Sequence, residues 1–312
     1  MTGPAISRAN AKAVSYSVSS EPDVEQLDAC PLCGAGRFRM LDATANLCEC
    51  QQCSFVFDNP RPTIDALVAF YSQPTKYDSW LAEESARDAL WTRRLAHLLP
   101  TAKAGSLLDV GTGIGQFLAL ARPHFSEVCG TEVSESAIQI ARNKYGLELL
   151  RGEIQNINFE GKKFDNITLF HVLEHVPNPR AVIEKCVSLL SDGGILAVAV
   201  PNDLYTFRQQ RFLRTILARK LRRSVELGLP KIVLDGTVSE IHLSHFTPEV
   251  LARLLKNSGL SLVANALDPY YAASGFRAWK HKAYYSACRI FHGLSRKNAY
   301  DAMLLVASKH LS

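Results

Sequence analysis

The chain lacks any hydrophobic run that approaches the roughly 18 residues of a membrane-spanning helix. Its first 30 residues also lack the apolar core of a secretory signal peptide, so the sequence predicts a cytoplasmic protein. Residues 1–20 contain Arg8, Lys12 and five serines but no acid. This composition faintly fits an organelle transit peptide, and it fits a disordered tail over residues 1–25 better.

Acidic residues are missing from residues 270–300, which hold six lysines and arginines. Residues 203–240 hold eight lysines and arginines against four acids, although the net charge of the whole chain is only +5. Basic charge is therefore concentrated in two segments, which we interpret as insertions. This distribution predicts an acidic partner for those segments rather than a generally basic protein.

The glycine-rich turn around which the chain is organised lacks the last glycine of the G-x-G-x-x-G fingerprint. The apolar run 106–110 leads into Gly111, Gly113 and Gly115, and Gln116 stands where a dinucleotide-binding fingerprint needs its last glycine. A buried strand followed by such a turn and a helix presents free N–H groups to a ligand. The G-x-G-x-G spacing therefore predicts a ligand site at this turn and argues against NAD.

Two acids accompany this turn. Asp109 precedes the first glycine by two residues, and Glu132 ends the next apolar run. The pattern resembles motif I and its acidic partner in the class I S-adenosylmethionine (SAM)-dependent methyltransferases. The resemblance implies SAM as cofactor, with Glu132 accepting hydrogen bonds from the ribose and Glu153 and Ile154 framing the adenine, although the family more often has aspartate at position 153. The cofactor-binding residues that it implies are Asp109, Gly111, Thr112, Gly113, Gly115, Glu132, Val133, Glu153, Ile154, Phe170 and His171.

Short apolar runs alternate with helical patterns after this turn, which predicts a parallel sheet with right-handed crossovers. We expect strands at residues 106–111, 126–132, 147–152, 164–170, 194–200, 260–267 and 302–308. We expect helices near residues 114–122, 135–145, 179–190 and 247–258. Seven strands, the last two joined by a reversal, match the α/β, Rossmann-like and mostly parallel sheet of the methyltransferase family. This domain is predicted to span residues 104–312.

The fourth predicted strand leads into a stretch that closely resembles motif IV of the same family. By this resemblance His171 lies beside the SAM sulfonium. Residues 171–175 also spell H-x-x-E-H, which is a metalloprotease pattern. That pattern requires both histidines on one helix, whereas His171 falls at a strand end and Pro177 follows closely. We therefore favour the methyltransferase interpretation.

Four cysteines near the amino terminus have the spacing C-x2-C-x16-C-x2-C, which is typical of a four-cysteine zinc site. Each C-x-x-C presents two thiolates to one side, so Cys30, Cys33, Cys50 and Cys53 can complete a closed tetrahedral shell. A closed shell predicts a structural zinc ion in a ribbon over residues 26–58. Four unrelated buried cysteines are the alternative, and Cys48 is a spare or substitute ligand.

Residues 59–103 are predicted to connect the ribbon to the methyltransferase domain. The sequence N-P-R-P at residues 59–62 indicates a rigid link. Two apolar helical faces follow it, formed by Leu67, Phe70 and Tyr71 and then by Leu81, Leu90, Trp91, Leu95, Leu98 and Leu99. These helices either pack near the cofactor mouth or only support the ribbon.

The two basic insertions leave several interpretations open. An apolar stripe and seven arginines and lysines make residues 203–240 a basic amphipathic helix, which can lie on an anionic membrane, cover a phosphate-bearing substrate or form a solvated lid. In residues 270–300, tyrosines, Phe276 and Trp279 alternate with Arg277, Lys280 and Lys282. That pattern suits a sugar or isoprenoid phosphate, and a packed aromatic helix fits it equally.

Methyl transfer to a hydroxyl needs alignment, exclusion of water and a base. Histidine suits the base because its pKa is near neutral. The candidates are His245 and His242, just before the last predicted helix, and His171. A core or hydrogen-bonding role is the alternative for each.

The ribbon, the N-P-R-P link, the H-V-L-E-H stretch and the H-L-S-H-F-T stretch at residues 242–247 together resemble bacterial enzymes that methylate sugars, glycan precursors or natural products. The core also resembles the ubiquinone O-methyltransferase group. We therefore expect a methyltransferase that acts on a hydroxyl or sugar carbon of a small or lipid-linked acidic metabolite, with peripheral membrane contact through the first insertion. An RNA methyltransferase is the main alternative, and an interaction module without turnover is a third.

Overall fold

A computed structural model describes residues 23–73, 76–205, 240–269 and 275–310, together with Leu229, Lys231, Ile232 and Leu234. Most of the first basic insertion, including its predicted amphipathic stripe, lies outside the described residues. In the second insertion, side chains are described from Trp279 onward.

The amino-terminal part contains a small sheet and three helices. Its elements are β1 (Val24–Glu25), β2 (Phe38–Asp42), β3 (Leu47–Cys50), β4 (Val56–Asp58), β5 (Arg61–Pro62), α1 (Ile64–Tyr71), α2 (Asp78–Ala82) and α3 (Glu84–Leu98). Strands β2, β3 and β4 form the antiparallel ribbon around the cysteine pairs, and β1 pairs with β5. Thr63 caps α1 by accepting a hydrogen bond from the Ala66 N–H.

The carboxyl-terminal part is a seven-stranded sheet with helices on both faces. Its elements are β6 (Ser106–Val110), α4 (Gln116–Ala121), β7 (Glu127–Glu132), α5 (Glu135–Tyr145), β8 (Leu150–Arg151), β9 (Phe164–Phe170), α6 (Pro179–Leu189), β10 (Leu190–Pro201), β11 (Ser244–His245), α7 (Pro248–Asn257), β12 (Leu260–Asp268), α8 (Gly275–Ser295) and β13 (Ala302–Lys309). Short 3₁₀ helices lie at Arg122–His124 and Ile154–Asn156.

The strand order of the large sheet is β12-β13-β10-β9-β6-β7-β8. Strands β6 to β10 pair in parallel, and β13 pairs antiparallel with both β10 and β12. This confirms the predicted Rossmann-like sheet. The third predicted strand is shorter than expected, because Gly146 ends α5 in a left-handed conformation and the Leu147 N–H bonds back to the Ala141 carbonyl.

Both faces of the sheet are covered by elements from the amino-terminal part. On one face, Leu90 and Trp91 of α3 pack with Phe117 and Phe170 in one apolar cluster. On the other face, the ribbon's Phe55 joins the sheet's own core and lies 5.0 Å from the ring of Phe246. The helical connector and the ribbon therefore belong to the apolar packing on the two faces of the sheet.

Strand β11 attaches the carboxyl-terminal part to the ribbon, which the sequence analysis did not predict. Ser244 and His245 pair antiparallel with Phe57 and Val56, so β11 becomes the fourth strand of the ribbon sheet. This pairing fixes the position of two histidines that precede α7.

Among the described residues, no helix is both long and apolar enough to cross a membrane.

Candidate functional site

A deep cavity lies at the carboxyl ends of β6, β7 and β9, where ligands bind in open parallel sheets. Nine of the predicted cofactor residues line it: Gly111, Thr112, Gly113, Glu132, Val133, Glu153, Ile154, Phe170 and His171. Asp109 and Gly115 lie behind this wall. Asp109 accepts a hydrogen bond of 2.6 Å from the Thr168 hydroxyl, and burial raises its pKa to about 6. Its position suits support of the turn rather than direct contact with a ligand.

The glycine turn leaves no room for side chains. Gly111 has a φ of +64°, and a Cβ at this position would lie 2.7 Å from Val172 Cγ2. Gly113 has a φ of +57°, and its Cβ would lie 3.0 Å from the Trp80 ring. Both positions therefore need glycine, for backbone conformation and for space. The turn forms a bare backbone surface on which a ligand can lie.

Glu132 is held in place by backbone N–H groups at the end of β7. Its two carboxylate oxygens accept hydrogen bonds from the N–H groups of Gly113 (2.8 Å), Val133 (2.8 Å) and Ser134 (2.9 Å). Burial raises the pKa of Glu132, and these three donors oppose that rise. The carboxylate is therefore fixed in the cavity wall, next to the glycine turn.

The helical connector forms the wall of the cavity that lies opposite the carboxyl ends of the strands. Trp80 and Arg87 line it, and the Arg87 guanidinium carbon lies 3.8 Å from the centre of the Trp80 ring. Lys76 also lines the cavity, with its ammonium 3.6 Å from the centre of the Phe70 ring. Of the two interpretations of this connector, the structure agrees with the one that places it at the cofactor mouth. It also brings two cations to an otherwise largely apolar wall.

His171 occupies a constrained position at the end of β9. Its φ is +59°, a conformation that is uncommon for residues other than glycine. An Arg94 nitrogen lies 2.6 Å from its Nε2, and Glu174 Oε1 lies 2.8 Å from its Nδ1. Because arginine can only donate, Nε2 accepts and Nδ1 carries the proton. Burial and the Arg94 charge lower the pKa of His171, so the ring is neutral with its lone pair engaged.

Arg94 is held by a fully buried ion pair. Asp268, at the end of β12, accepts hydrogen bonds of 2.9 and 2.6 Å from the Arg94 guanidinium, and neither side chain is exposed. We expect Asp268→Ala to lower the free energy of unfolding by about 3–5 kcal/mol, because a buried guanidinium loses its counter-charge. Denaturant unfolding followed by circular dichroism measures this change.

The matched control for that experiment is the surface pair of Arg142 and Glu148, whose side chains are 51% and 73% exposed. Glu148→Ala should cost less than about 1 kcal/mol, because water screens exposed pairs. Equal costs for the two variants would contradict the assignment of Arg94 and Asp268 as a buried structural pair.

His175 lines the cavity with a different pattern of partners. Its Nδ1 lies 2.5 Å from the Ile241 carbonyl oxygen, which can only accept, so Nδ1 carries the proton. The Tyr71 hydroxyl is 2.9 Å from the same nitrogen. The Nε2 atom then holds a lone pair, and it lies 3.8 Å from Glu174 Oε1. Burial and the nearby positive charge of His242 lower the pKa of His175 to about 4.

Residues 171–175 form turns rather than a helix. The metalloprotease interpretation of this stretch therefore lacks the helix that it requires. Glu174 is fully buried, and burial raises its pKa to about 8. Its Oε2 has no hydrogen-bond partner among the described residues.

His242 and His245 lie behind the cavity wall rather than in it. Asp203 Oδ2 is 3.2 Å from His242 Nδ1 and 3.3 Å from His245 Nδ1. Beyond these contacts, Glu240 lies 3.7 Å from His242 Nε2, and Asp58 of the ribbon lies 3.4 Å from His245 Nε2. The acids and histidines thus alternate from the ribbon to the cavity.

These acids keep both rings protonated. Burial alone would lower the pKa of each histidine, but Asp203 with Glu240 raises that of His242 well above its usual value, and Asp203 with Asp58 raises that of His245 to about 9. An imidazolium has no lone pair to accept a proton. Donor atoms of Glu174, His175 and His242 lie within 4.8 Å of one another, a spacing that suits a cation, and binding of a cation there would release the proton of His242.

The four predicted zinc ligands form one cluster. The sulfur atoms of Cys30, Cys33, Cys50 and Cys53 all lie within 4.8 Å of one another. The Cys30–Cys53 and Cys33–Cys50 sulfur distances are 3.7 and 3.6 Å, close to the roughly 3.8 Å between sulfurs in a tetrahedron with zinc–sulfur bonds of about 2.3 Å. The donor set therefore fits zinc. Cys48 is buried beside this cluster and is not part of it.

The sheet order, the glycine turn and the acid at the end of β7 define the class of this protein as a methyltransferase domain with a Rossmann-like fold. Residues 83–265 match the family model described as "Methyltransferase domain", which covers more than half of the chain. The chain belongs to that family.

Among its relatives is the ubiquinone biosynthesis O-methyltransferase of Coxiella burnetii (strain Dugway 5J108-111), which is 30% identical over 168 residues, or 52% of this chain and 66% of the relative. The chain spans about half to two thirds of the length of the Coxiella relatives, 55% to 66%. A Listeria monocytogenes protein assigned to the SAM-dependent methyltransferases superposes with a TM-score of 0.51 at 16% identity, over 72% of this chain and 99% of that one. Magnesium protoporphyrin IX methyltransferase from Synechocystis PCC 6803 superposes with a TM-score of 0.50 at 12% identity, over 79% and 100%.

Several cavity residues were not predicted from the sequence. They include Tyr71, Lys76, Trp80, Arg87, His175 and Glu240. Two of them had a signal: Tyr71 belongs to a predicted apolar face of the connector, and His175 is four residues after His171 in the motif IV stretch. The others come from the connector and from the segment before β11, and their places depend on how those segments fold over the sheet.

Proposed function

We propose that this chain transfers a methyl group from SAM to a hydroxyl oxygen of a small or lipid-linked acidic metabolite, with His175 as the general base. The observation that carries the proposal is the protonation pattern of the histidines. His175 lines the cavity and holds a lone pair on Nε2, whereas the His171 lone pair is engaged by Arg94. His242 and His245 are protonated behind the wall.

The residues present fit the cofactor. Glu132 would hold the ribose, Glu153 and Ile154 would frame the adenine, and the bare backbone of Gly111 and Gly113 would lie against the rest of the molecule. When bound, SAM would supply a sulfonium methyl group that an oxygen nucleophile can attack in line, with S-adenosylhomocysteine as the leaving group. Closure by the connector excludes water, and His175 removes the proton of the acceptor hydroxyl.

The cavity wall supports an acidic and partly apolar acceptor. Lys76 and Arg87 are the cations that line it, and Leu67, Val68 and Val176 contribute apolar surface nearby. The names of the Coxiella relatives, ubiquinone biosynthesis O-methyltransferases, also support a hydroxyl acceptor. Transfer to a sugar carbon or to RNA would be a different outcome of the same acceptor screen.

We further infer that Cys30, Cys33, Cys50 and Cys53 hold one structural zinc ion. Their sulfur spacing fits a closed tetrahedral shell, which leaves no open position for water. The ion would therefore stabilise the ribbon rather than take part in methyl transfer.

The pH dependence of turnover separates His175 from His245 as the base. With His175, whose pKa is lowered to about 4, the ring is neutral at every higher pH, so kcat/KM should stay level from about pH 6 to 8 and fall only toward pH 4. With His245, whose pKa is raised to about 9, activity should climb about tenfold per pH unit up to pH 9. Release of S-adenosylhomocysteine, with hydroxylated aromatic acids and lipid-linked phosphates as acceptors, measures the rate.

The corresponding variants are His175→Ala and His245→Ala. We expect His175→Ala to lower kcat by about 100-fold or more while SAM affinity changes little, because the base acts on the acceptor. Unchanged turnover in His175→Ala, or a profile that rises to pH 9, would remove His175 from this role.

A further inference from the structure

Helix α8 presents an apolar stripe to the outside of the molecule. Trp279, Ile290 and Leu294 are 65%, 66% and 85% exposed, which is unusual for large apolar side chains. They are separated by eleven and four residues, so they lie within about 60° of one another around the helix and extend along about 22 Å of it. The small residues Ala283, Ser286 and Gly293 lie on the same side of the helix, between or beside these three side chains.

The opposite face of α8 already has its own packing. Tyr285 and Cys288 are buried against Ala299 and Tyr300, and Phe291 joins the same cluster. The Tyr285 and Tyr300 rings stack with their centres 5.1 Å apart. The aromatic inner face therefore holds the helix against the rest of the molecule. The outer stripe lies on the opposite side of the helix and takes no part in this packing.

Cations border the stripe on both sides. Lys282 and Arg289 lie along one edge and Lys280 along the other, and all three are exposed. Arg296 and Lys297 add charge just beyond the end of the helix. No aspartate or glutamate occurs in residues 270–300. An apolar stripe edged only by cations is complementary to a surface that is apolar inside and negatively charged outside.

We propose that the outer face of α8 docks on an anionic lipid bilayer, with the helix lying in the plane of the membrane interface. A second copy of the chain fits this face poorly, because like charges would meet along both edges. Trp279 suits the interface because its ring is apolar with one polar N–H. The inference does not depend on methyl transfer.

The position of α8 relates docking to the cavity. Strands β10 and β12 both pair antiparallel with β13, so they run in the same direction. The carboxyl end of β12, at Asp268, therefore lies at the same end of the sheet as the cavity. Asp268 binds Arg94, which contacts His171 in the cavity wall. The helix follows β12 in the chain. Docking through α8 would therefore keep the end of the sheet that holds the cavity close to the bilayer, as a lipid-linked acceptor requires.

Sedimentation of the full-length, zinc-loaded protein with sucrose-filled vesicles tests this proposal. We expect at least tenfold stronger partitioning to vesicles of phosphatidylcholine with 30% phosphatidylglycerol than to phosphatidylcholine alone, and weaker partitioning at high salt. The triple variant Trp279→Ser, Ile290→Ser, Leu294→Ser should lower partitioning at least tenfold. Its SAM affinity should match that of the wild type, because none of the three side chains lines the cavity. The double variant Ile290→Ser, Leu294→Ser should also keep the wild-type unfolding midpoint, because these two side chains are 66% and 85% exposed.

Two controls keep the result specific to this face. Val263→Ser removes an apolar side chain that is 48% exposed on β12, and it should leave partitioning unchanged. Lys282→Gln with Arg289→Gln should weaken binding to the anionic vesicles by more than tenfold in total, at roughly fivefold per charge. Equal partitioning of wild type and triple variant would overturn the proposal, and so would a change from oligomer to monomer in the triple variant without any loss of lipid binding.

Discussion

Replacement of Glu132 by alanine should raise the Kd for SAM by at least about 100-fold. A buried carboxylate that accepts two ribose hydroxyl hydrogen bonds contributes about 1.5–3 kcal/mol for each bond, and every 1.4 kcal/mol is tenfold in affinity. Glu132 is already oriented for this task, because three backbone N–H groups hold its two oxygens in the cavity wall. Isothermal titration of the zinc-loaded protein with SAM measures the effect.

Two further variants make this test specific. Glu132→Gln keeps the size of the side chain and one acceptor oxygen, so its loss of affinity should lie between those of alanine and wild type. Glu135→Ala removes an exposed acid three residues away, whose partner is Arg151 on the surface, and should leave the Kd within about twofold. If SAM bound to the Glu132→Ala protein within threefold of wild type, the cofactor site would have to be elsewhere.

Replacement of Cys50 by alanine should abolish zinc binding and unfold the ribbon. Structural zinc sites of this type contribute apparent binding free energies on the order of 10 kcal/mol, most of which is folding free energy of a small module. We expect about one zinc per chain in the wild type by elemental analysis. In Cys50→Ala that value should approach zero, with loss of hydrogen-exchange protection in β2 to β4.

Cys48 supplies the matched control. It is also a buried ribbon cysteine, only two residues away, but it is not part of the four-sulfur cluster. Cys48→Ala should keep full zinc content, which also tests the earlier suggestion that Cys48 is a substitute ligand. Equal loss of zinc in both variants would contradict the assigned ligand set.

Unfolding of the ribbon should also destabilise the adjoining segment of the methyltransferase part, because strand β11 of that part belongs to the ribbon sheet. Strand β11 pairs with β4, and Arg253 of α7 donates a hydrogen bond to the Cys53 carbonyl. His245 lies between Asp58 of the ribbon and Asp203. Reduced protection of the His245 amide, whose residue pairs with Val56 of the ribbon, is therefore expected in Cys50→Ala along with ribbon unfolding.

Much of the fold could be predicted from the sequence because the determining signals are local. The run of apolar residues before Gly111 and the glycine spacing itself indicate a buried strand, a sharp turn and a helix within a dozen residues. Alternating apolar runs and helical patterns then predicted the seven strands of the sheet. The cysteine spacing likewise predicted a cluster that the structure brings together.

The functions of the individual histidines could not be predicted in this way. From the sequence, His171 and His175 follow a predicted strand and His242 and His245 precede a predicted helix, but these positions do not indicate which of the rings carries a charge. Their protonation depends on partners that lie far away along the chain: the Ile241 carbonyl is 66 residues from His175, and Arg94 is 77 residues from His171. The sequence analysis gave His245, His242 and His171 as candidate bases, whereas we propose His175, which lines the cavity.

By itself, then, the sequence determined the cofactor class, the sheet and the cysteine cluster, because spacing over a few residues dictates backbone conformation and ligand geometry. Only the tertiary structure decided which side chains face the cavity, which histidines carry a charge and how the ribbon is joined to the sheet. These properties arise from burial and from hydrogen bonds between distant segments, such as Arg94 with Asp268, 174 residues apart. Local sequence patterns carry no information about such pairs until the chain has folded.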